Sequence, residues 1–244
     1  MKYLMFVAAI LGCLRLSAQE EPPEWKNPSK SSLAYAEYRR KLTVPPYGLA
    51  KVKALIDKIP YKEDDSSPME NKDYLPLSLR EKFTYHMIHA EISAQNCDVR
   101  PPIQDEDKKI FGQMADGMEE SVWSDRQSKF LISNRDSVMA LIKESVNRSK
   151  RMGANYKMAI VEINGREMIP FIIETYNKDQ KDRDLLTLLM LLMKNNEYNP
   201  FMVSQSYRKL YGDNADYQSY IDYNKGNEDL IIKRATDYYN TIRK

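Results

Sequence analysis

Apolar residues recur at three- and four-residue steps along most of this chain, and polar breakers mark where one run gives way to the next. A first short helix is predicted over 33–42, ended by Val44-Pro45-Pro46-Tyr47-Gly48. Leu49, Val52, Leu55, Ile56 and Ile59 then hold helical spacing up to Pro60. Residues 61–77, charged, serine-rich and punctuated by Pro68 and Pro76, read as a loop. Ser78-Leu79-Arg80-Glu81 is a capping box: the hydroxyl takes an orphan amide of the first turn and the carboxylate reaches back. It predicts a helix over 79–94. A second long loop, 96–108, carries Pro101-Pro102, and further helices are predicted over 110–118 and 122–132, with Ser124 as a cap.

After Asn134, read as another cap, the rhythm tightens. Val138, Leu141, Ile142 and Val146 mark one helix, Ile160 and Ile163 a second segment, and Met168, Ile169, Ile172, Ile173 and Tyr176 a third. Leu185 to Met193 is apolar at every position but Thr187. It is too short to span a bilayer and so predicts a helix surrounded by protein. Asn199-Pro200 opens a helix that Gly212 closes, and Asn227 caps a last one through Leu230, Ile231, Ala235 and Tyr238. One segment supports a second reading. Asn164-Gly165 between β-branched runs is a strong hairpin signal, which would make 157–176 two strands and the fold α+β. Pro170 would then be confined to a sheet edge, and the flanking segments are helical, so helices are preferred.

The stretch Ala159-Ile160-Val161-Glu162-Ile163-Asn164-Gly165-Arg166-Glu167-Met168-Ile169-Pro170-Phe171-Ile172-Ile173-Glu174, followed by the apolar helix from Asp184, resembles a HEAT-type helical repeat over roughly 159–194. The isoleucine-proline pair after a small turn carries the likeness. The arginine common in the second helix of such repeats is absent, Arg183 preceding Asp184. The resemblance implies stacked helix pairs that bury a continuous core and leave a broad surface for partners. The expected fold is therefore all-α, an irregular helical bundle leading into a short α-solenoid-like stack.

Composition adds a location. Lys2, an apolar run from Tyr3 to Leu11 and the small residues Ser17-Ala18 follow the order of a secretory signal peptide cleaved before Gln19. Ile10-Leu11-Gly12-Cys13 also resembles a lipobox, whose cysteine would be acylated. The expected organisation is a signal over 1–18, a flexible arm over 19–31, an N-terminal helical portion over 32–108 and a repeat-like portion over 109–244. Cleavage removes Lys2 and Arg15 and no acid, leaving 35 basic against 35 acidic residues. That balance argues against nucleic acid as a partner.

Candidate chemistry is sparse. His86 and His89, the two histidines of the chain, lie three apart on the helix after Ser78, with Cys97 downstream. Imidazoles and a thiolate suit a divalent metal, the one cofactor the residues bring to mind. The competing reading is two histidines between apolar stripes. Tyrosine is abundant at 17, and Tyr207, Tyr211, Tyr217 and Tyr220 crowd the end of the chain, where flat amphipathic rings suit a binding surface or ordinary helix packing. No P-loop, dinucleotide-binding, calcium-loop or nucleophile-elbow pattern occurs. The leading expectation is an exported, non-catalytic protein-binding or scaffold protein of the bacterial cell envelope with a protein or peptide partner. The alternatives are a metal-binding protein or enzyme centred on His86 and His89, and carbohydrate binding through the tyrosine-rich end.

Overall fold

A computed structural model describes residues 26–60, 67–94, 102–118 and 120–243. Within them the chain is mostly helical. The first half holds α1 (Lys30–Arg40), α2 (Leu49–Ile56), α3 (Asn71–Tyr74) and α4 (Leu79–Ile88). Two small antiparallel pairs follow: β1 (Ile92–Ser93) with β3 (Ser121–Val122), and β2 (Lys109–Phe111) with β4 (Tyr220–Asp222). The rest is α5 (Asp125–Ser133), α6 (Arg135–Ser149), α7 (Ala154–Glu162), α8 (Ile169–Asp179), α9 (Asp184–Asn195), α10 (Asn199–Met202), α11 (Gln205–Tyr211) and α12 (Lys225–Ile242).

The apolar helix is the axis of the core. In α9, Leu186, Leu188, Leu189, Met190, Leu192 and Met193 are wholly buried, and the helix packs against α7, α8, α10, α12 and β2. Each such side chain contributes about 1.5–3 kcal/mol through removal from water. With α8 also against α12, these helices form the short solenoid-like stack, and α1 to α6 the irregular bundle before it. The main core continues into the first half through Tyr47, Phe83 and Met87. A smaller cluster of Val52, Met69, Tyr74, Leu77 and Tyr85 sits among α2, α3 and α4.

Residues 157–176 are helical and not a hairpin. Asn164 takes a left-handed φ of 47°, and Gly165 donates its amide to the Ile160 carbonyl at 2.8 Å, so the pair closes α7. Pro170 stands in the first turn of α8, where its missing N–H costs nothing. Both β-branched runs bury residues three or four apart: Ala159, Ile160 and Ile163, then Ile169, Ile172 and Tyr176.

Several boundaries correct the sequence expectation. Residues 110–118 form no helix: β2 pairs with β4, the Gly112 amide extends the ladder to the Ser219 carbonyl at 3.0 Å, and Thr187 donates to the Phe111 carbonyl at 2.8 Å. The helix predicted over 79–94 stops at Ile88, because His89 turns extended and the chain continues into β1. That over 122–132 begins at Asp125, with Ser124 and Gln127 forming a capping box. Asn134 stands at the N-cap of α6, as expected, but its side chain makes no capping bond there and donates back to the Phe130 carbonyl at 2.8 Å. Ser204 divides 201–211 into α10 and α11. Asn224, not Asn227, caps α12, its Oδ1 accepting the Asn227 amide at 2.9 Å.

Beyond α1 the chain lies directly against the start of α7. Gly153 donates to Thr43 Oγ1 at 2.9 Å, and a Cβ added at Gly153 would stand 2.2 Å from the Thr43 nitrogen. The buried Asn155 clamps two other segments of main chain to α7, at Thr43 and at Met87. Its Oδ1 accepts from the Thr43 amide at 3.1 Å, and its Nδ2 donates to the Thr43 and Met87 carbonyls, each at 2.8 Å.

A candidate binding groove beside α1

α1 is joined to the stack by charge. Arg39, 4 % exposed, donates from Nη1 to Glu106 Oε1 at 2.6 Å and from Nε to Asp184 Oδ1 at 2.9 Å. Its guanidinium lies 4.2 Å above the Phe111 ring. Lys157 is wholly buried in α7; its Nζ reaches Asp182 Oδ1 at 2.7 Å and Asp184 Oδ2 at 3.6 Å. Asp184 opens α9, so the positive helix end also favours its charge. Burial alone would weaken Arg39's hold on its proton, but the Asp184 and Glu106 carboxylates reverse the sign and strengthen it. Burial likewise pushes the Asp184 carboxyl up, and Arg39 and Lys157 together bring it below the usual carboxylate range. Asp182 ends above that range, because burial there outweighs Lys157.

Outside this seam the surface is hollowed. A pocket of about 420 Å³ has Arg39, Glu106 and Phe111 among its lining and Leu33, Ile103 and Tyr217 at its walls. Leu33 is 53 % and Tyr217 40 % exposed, which leaves apolar surface open at the mouth. A shallower hollow of about 390 Å³ adjoins it, sharing Ile103 and Gln218, and is lined by Lys109, Lys209 and Tyr220. Both ammonium groups attend one ring: Lys109 Nζ is 4.0 Å and Lys209 Nζ 5.4 Å from the Tyr220 centroid. A pocket of mixed apolar and charged lining beside a cation-bearing hollow is a groove suited to holding a ligand by shape and charge.

No known family, no curated protein and no solved structure matches this chain. Its function has to be read from its own geometry.

The tyrosines singled out in the sequence divide into two groups. Tyr207 and Tyr211 pack on the buried Phe201, with ring centroids 5.6 and 6.2 Å from it, and Tyr211 donates to the Gly112 carbonyl at 2.7 Å. They belong to the core of the stack. Tyr217 and Tyr220 border the groove.

His86 lies in the last turn of α4, and His89 follows the helix in extended conformation, so the two do not share a helical face as expected. His86 is wholly buried, with Nδ1 2.9 Å from the Gln127 amide and Nε2 3.1 Å from the Tyr74 hydroxyl. Burial, with the nearby Arg126, pushes its pKa down to about 3, so the ring is neutral at ordinary pH. His89 Nε2 lies 2.7 Å from the Ser67 carbonyl. Both imidazoles thus hold protein groups together. Cys97, the third proposed ligand, lies outside the described residues, as does Cys13. Among the described residues no group of three or more His, Cys, Asp or Glu side chains is placed to hold a metal ion.

Next to the histidines lies a buried carboxylate, near them in sequence as a further possible metal ligand, whose structural role the sequence did not flag. Glu91, 2 % exposed, accepts from the Tyr85 hydroxyl at 2.7 Å and also pairs with Ser124 and Arg126. It ties α4 to the capped start of α5. The other unflagged residues are Arg39, Glu106, Lys157, Asp182 and Asp184. The one available signal was Lys157, a charge on the inward face of an otherwise apolar segment.

Proposed function

We propose that this chain is an exported, non-catalytic binding protein of the cell envelope whose protein or peptide partner docks in the groove beside α1. The observation that carries the reading is the groove itself: exposed Leu33 and Tyr217 over a buried ion pair, adjoining a hollow flanked by two lysines. A floor held by Arg39, Glu106 and Asp184 is a rigid base, and rigid bases lower the entropic cost of binding. The loosely repeat-like stack supports the same reading as a scaffold that holds the groove in place. Export rests on the amino-terminal pattern, and among the described residues no helix is long and apolar enough to cross a membrane.

Site-specific photo-crosslinking in envelope preparations tests the proposal. A benzophenone side chain replacing Leu33 or Tyr217 is expected to capture the same protein. The same group replacing Ile132, which is 54 % exposed on α5, is expected not to. No adduct at either groove position, or an identical adduct at all three, rejects the groove as a docking site. Mass measurement of the mature chain tests export: a start at Gln19 supports it, and a start at Met1 removes it.

A further inference from the structure

We propose that the segment held in this groove is acidic: an extended peptide whose carboxylates meet Lys109 and Lys209 while an apolar side chain enters the pocket at Leu33 and Tyr217. This deepens the binding reading above and rests on it. Three cations along the groove have no ion-pair partner among the described residues. Lys108 pairs with Asp105 at 2.9 Å, yet no carboxylate of the described residues pairs with its neighbour Lys109, nor with Lys209 or with Arg40 at the pocket rim. The acids of the rim keep their charge but are held by other groups of the chain, and Asp105, whose carboxyl Lys108 and, to a smaller extent, Lys109 hold below its usual range, has its ion pair with Lys108. Glu106 answers Arg39. Asp116 Oδ1 accepts the Met118 amide at 2.9 Å, and Asp216 Oδ1 accepts the Gln218 amide at 2.9 Å and the Ser219 hydroxyl at 3.1 Å.

Lys109 and Lys209 both stand by the Tyr220 ring, whose face answers their charge only in part. A carboxylate placed beside either gains a charge-assisted hydrogen bond. A membrane surface fits less well, because the cations flank a hollow, whereas a bilayer needs them on a flat or convex face.

The test uses the full mature chain and three short fluorescent peptides sharing the same leucine and phenylalanine positions, with glutamate, glutamine or lysine at every position between. Anisotropy titration is expected to rank them glutamate, glutamine, lysine. The glutamate peptide should weaken several-fold between ~0.05 and ~0.5 M salt, as screening shortens the reach of the lysine charges. The double variant Lys109→Glu/Lys209→Glu should lose about fivefold or more of that affinity, in line with the modest worth of exposed ion pairs. Lys109→Arg/Lys209→Arg should retain it. Circular dichroism confirms that both variants fold.

Equal binding of all three peptides, no binding of the glutamate peptide, or no response to charge reversal overturns the inference. So does binding to anionic vesicles in place of peptide, or self-association lost in the charge-reversed variant, which assigns the groove to a lipid surface or to a second copy. If crosslinking at Leu33 and Tyr217 still captures one partner while these titrations fail, the groove stands and only its preference for acid falls.

Discussion

The stack around α9 and the seam beneath α1 are held by opposite means. Around α9 almost every contact is apolar, and a helix with leucine or methionine on nearly all sides is closed over by α7, α8, α10 and α12. Beneath α1 the buried contacts are charges: Arg39, Glu106, Lys157, Asp182 and Asp184. The apolar part tolerates substitution in proportion to the volume lost. The charged part does not, because removing one partner leaves another ion stranded away from water. Asp184 belongs to both, as the first residue of α9 and the acceptor for Arg39.

The sharpest way to break the contrast is Arg39→Met, which takes from the buried Glu106 its cation and leaves Asp184 only Lys157 at 3.6 Å. A loss of about 3–5 kcal/mol is expected in urea unfolding. Adding Glu106→Gln and Asp184→Asn to Arg39→Met should recover much of that loss, since neither carboxylate then remains as a stranded ion; failure to recover would mean that shape, not charge, dominates the seam. Leu189→Ala in α9 should cost about 2–5 kcal/mol, set by the cavity left in a wholly buried site.

Acid should act on the bundle through His86. Its folded pKa of about 3 lies below the ordinary 6.5, so the unfolded chain takes up a proton that the folded chain refuses. Stability is complete above pH 6.5 and falls as pH drops toward 3. Between pH ~7 and pH ~5 this one group should remove about 2 kcal/mol. His86→Gln should flatten that portion of the slope; an unchanged slope would assign acid sensitivity elsewhere. The smallest effect is expected at the surface, where Ser78→Ala removes one half of the α4 capping box and about 1 kcal/mol.

These two regions also differ in how far the sequence disclosed them. The stack was legible because its information is local: Leu185 to Met193 announces a buried helix, and Asn164-Gly165 with Pro170 marks a helix end and a helix start once its neighbours are helical. The seam was not, because nothing near Arg39 indicates a partner in Asp184 or Glu106. The same limit explains β2. Lys109–Phe111 carries a weak local signal and is a strand only because 220–222 lies beside it. Of the four tyrosines singled out from the carboxyl-terminal crowd, only the fold separates the two that fill the core from the two that border the groove. Spacing predicts both histidines on one helix, but only His86 lies in α4, and the roles of the two rings come from Gln127, Tyr74 and Ser67, which no spacing rule connects to them.

The threading of residues 39–43 has a consequence for how this chain reaches its final form. Arg39 finds its acceptor 145 positions downstream, and Thr43 its clamp 112 positions downstream. A chain delivered amino-terminus first therefore makes α1 early and docks it late, after α7 and the start of α9 have emerged. Until then its polar inner face has no native berth. Bringing such distant ends together costs loop entropy, so α1 can take its native place only once those partners are present.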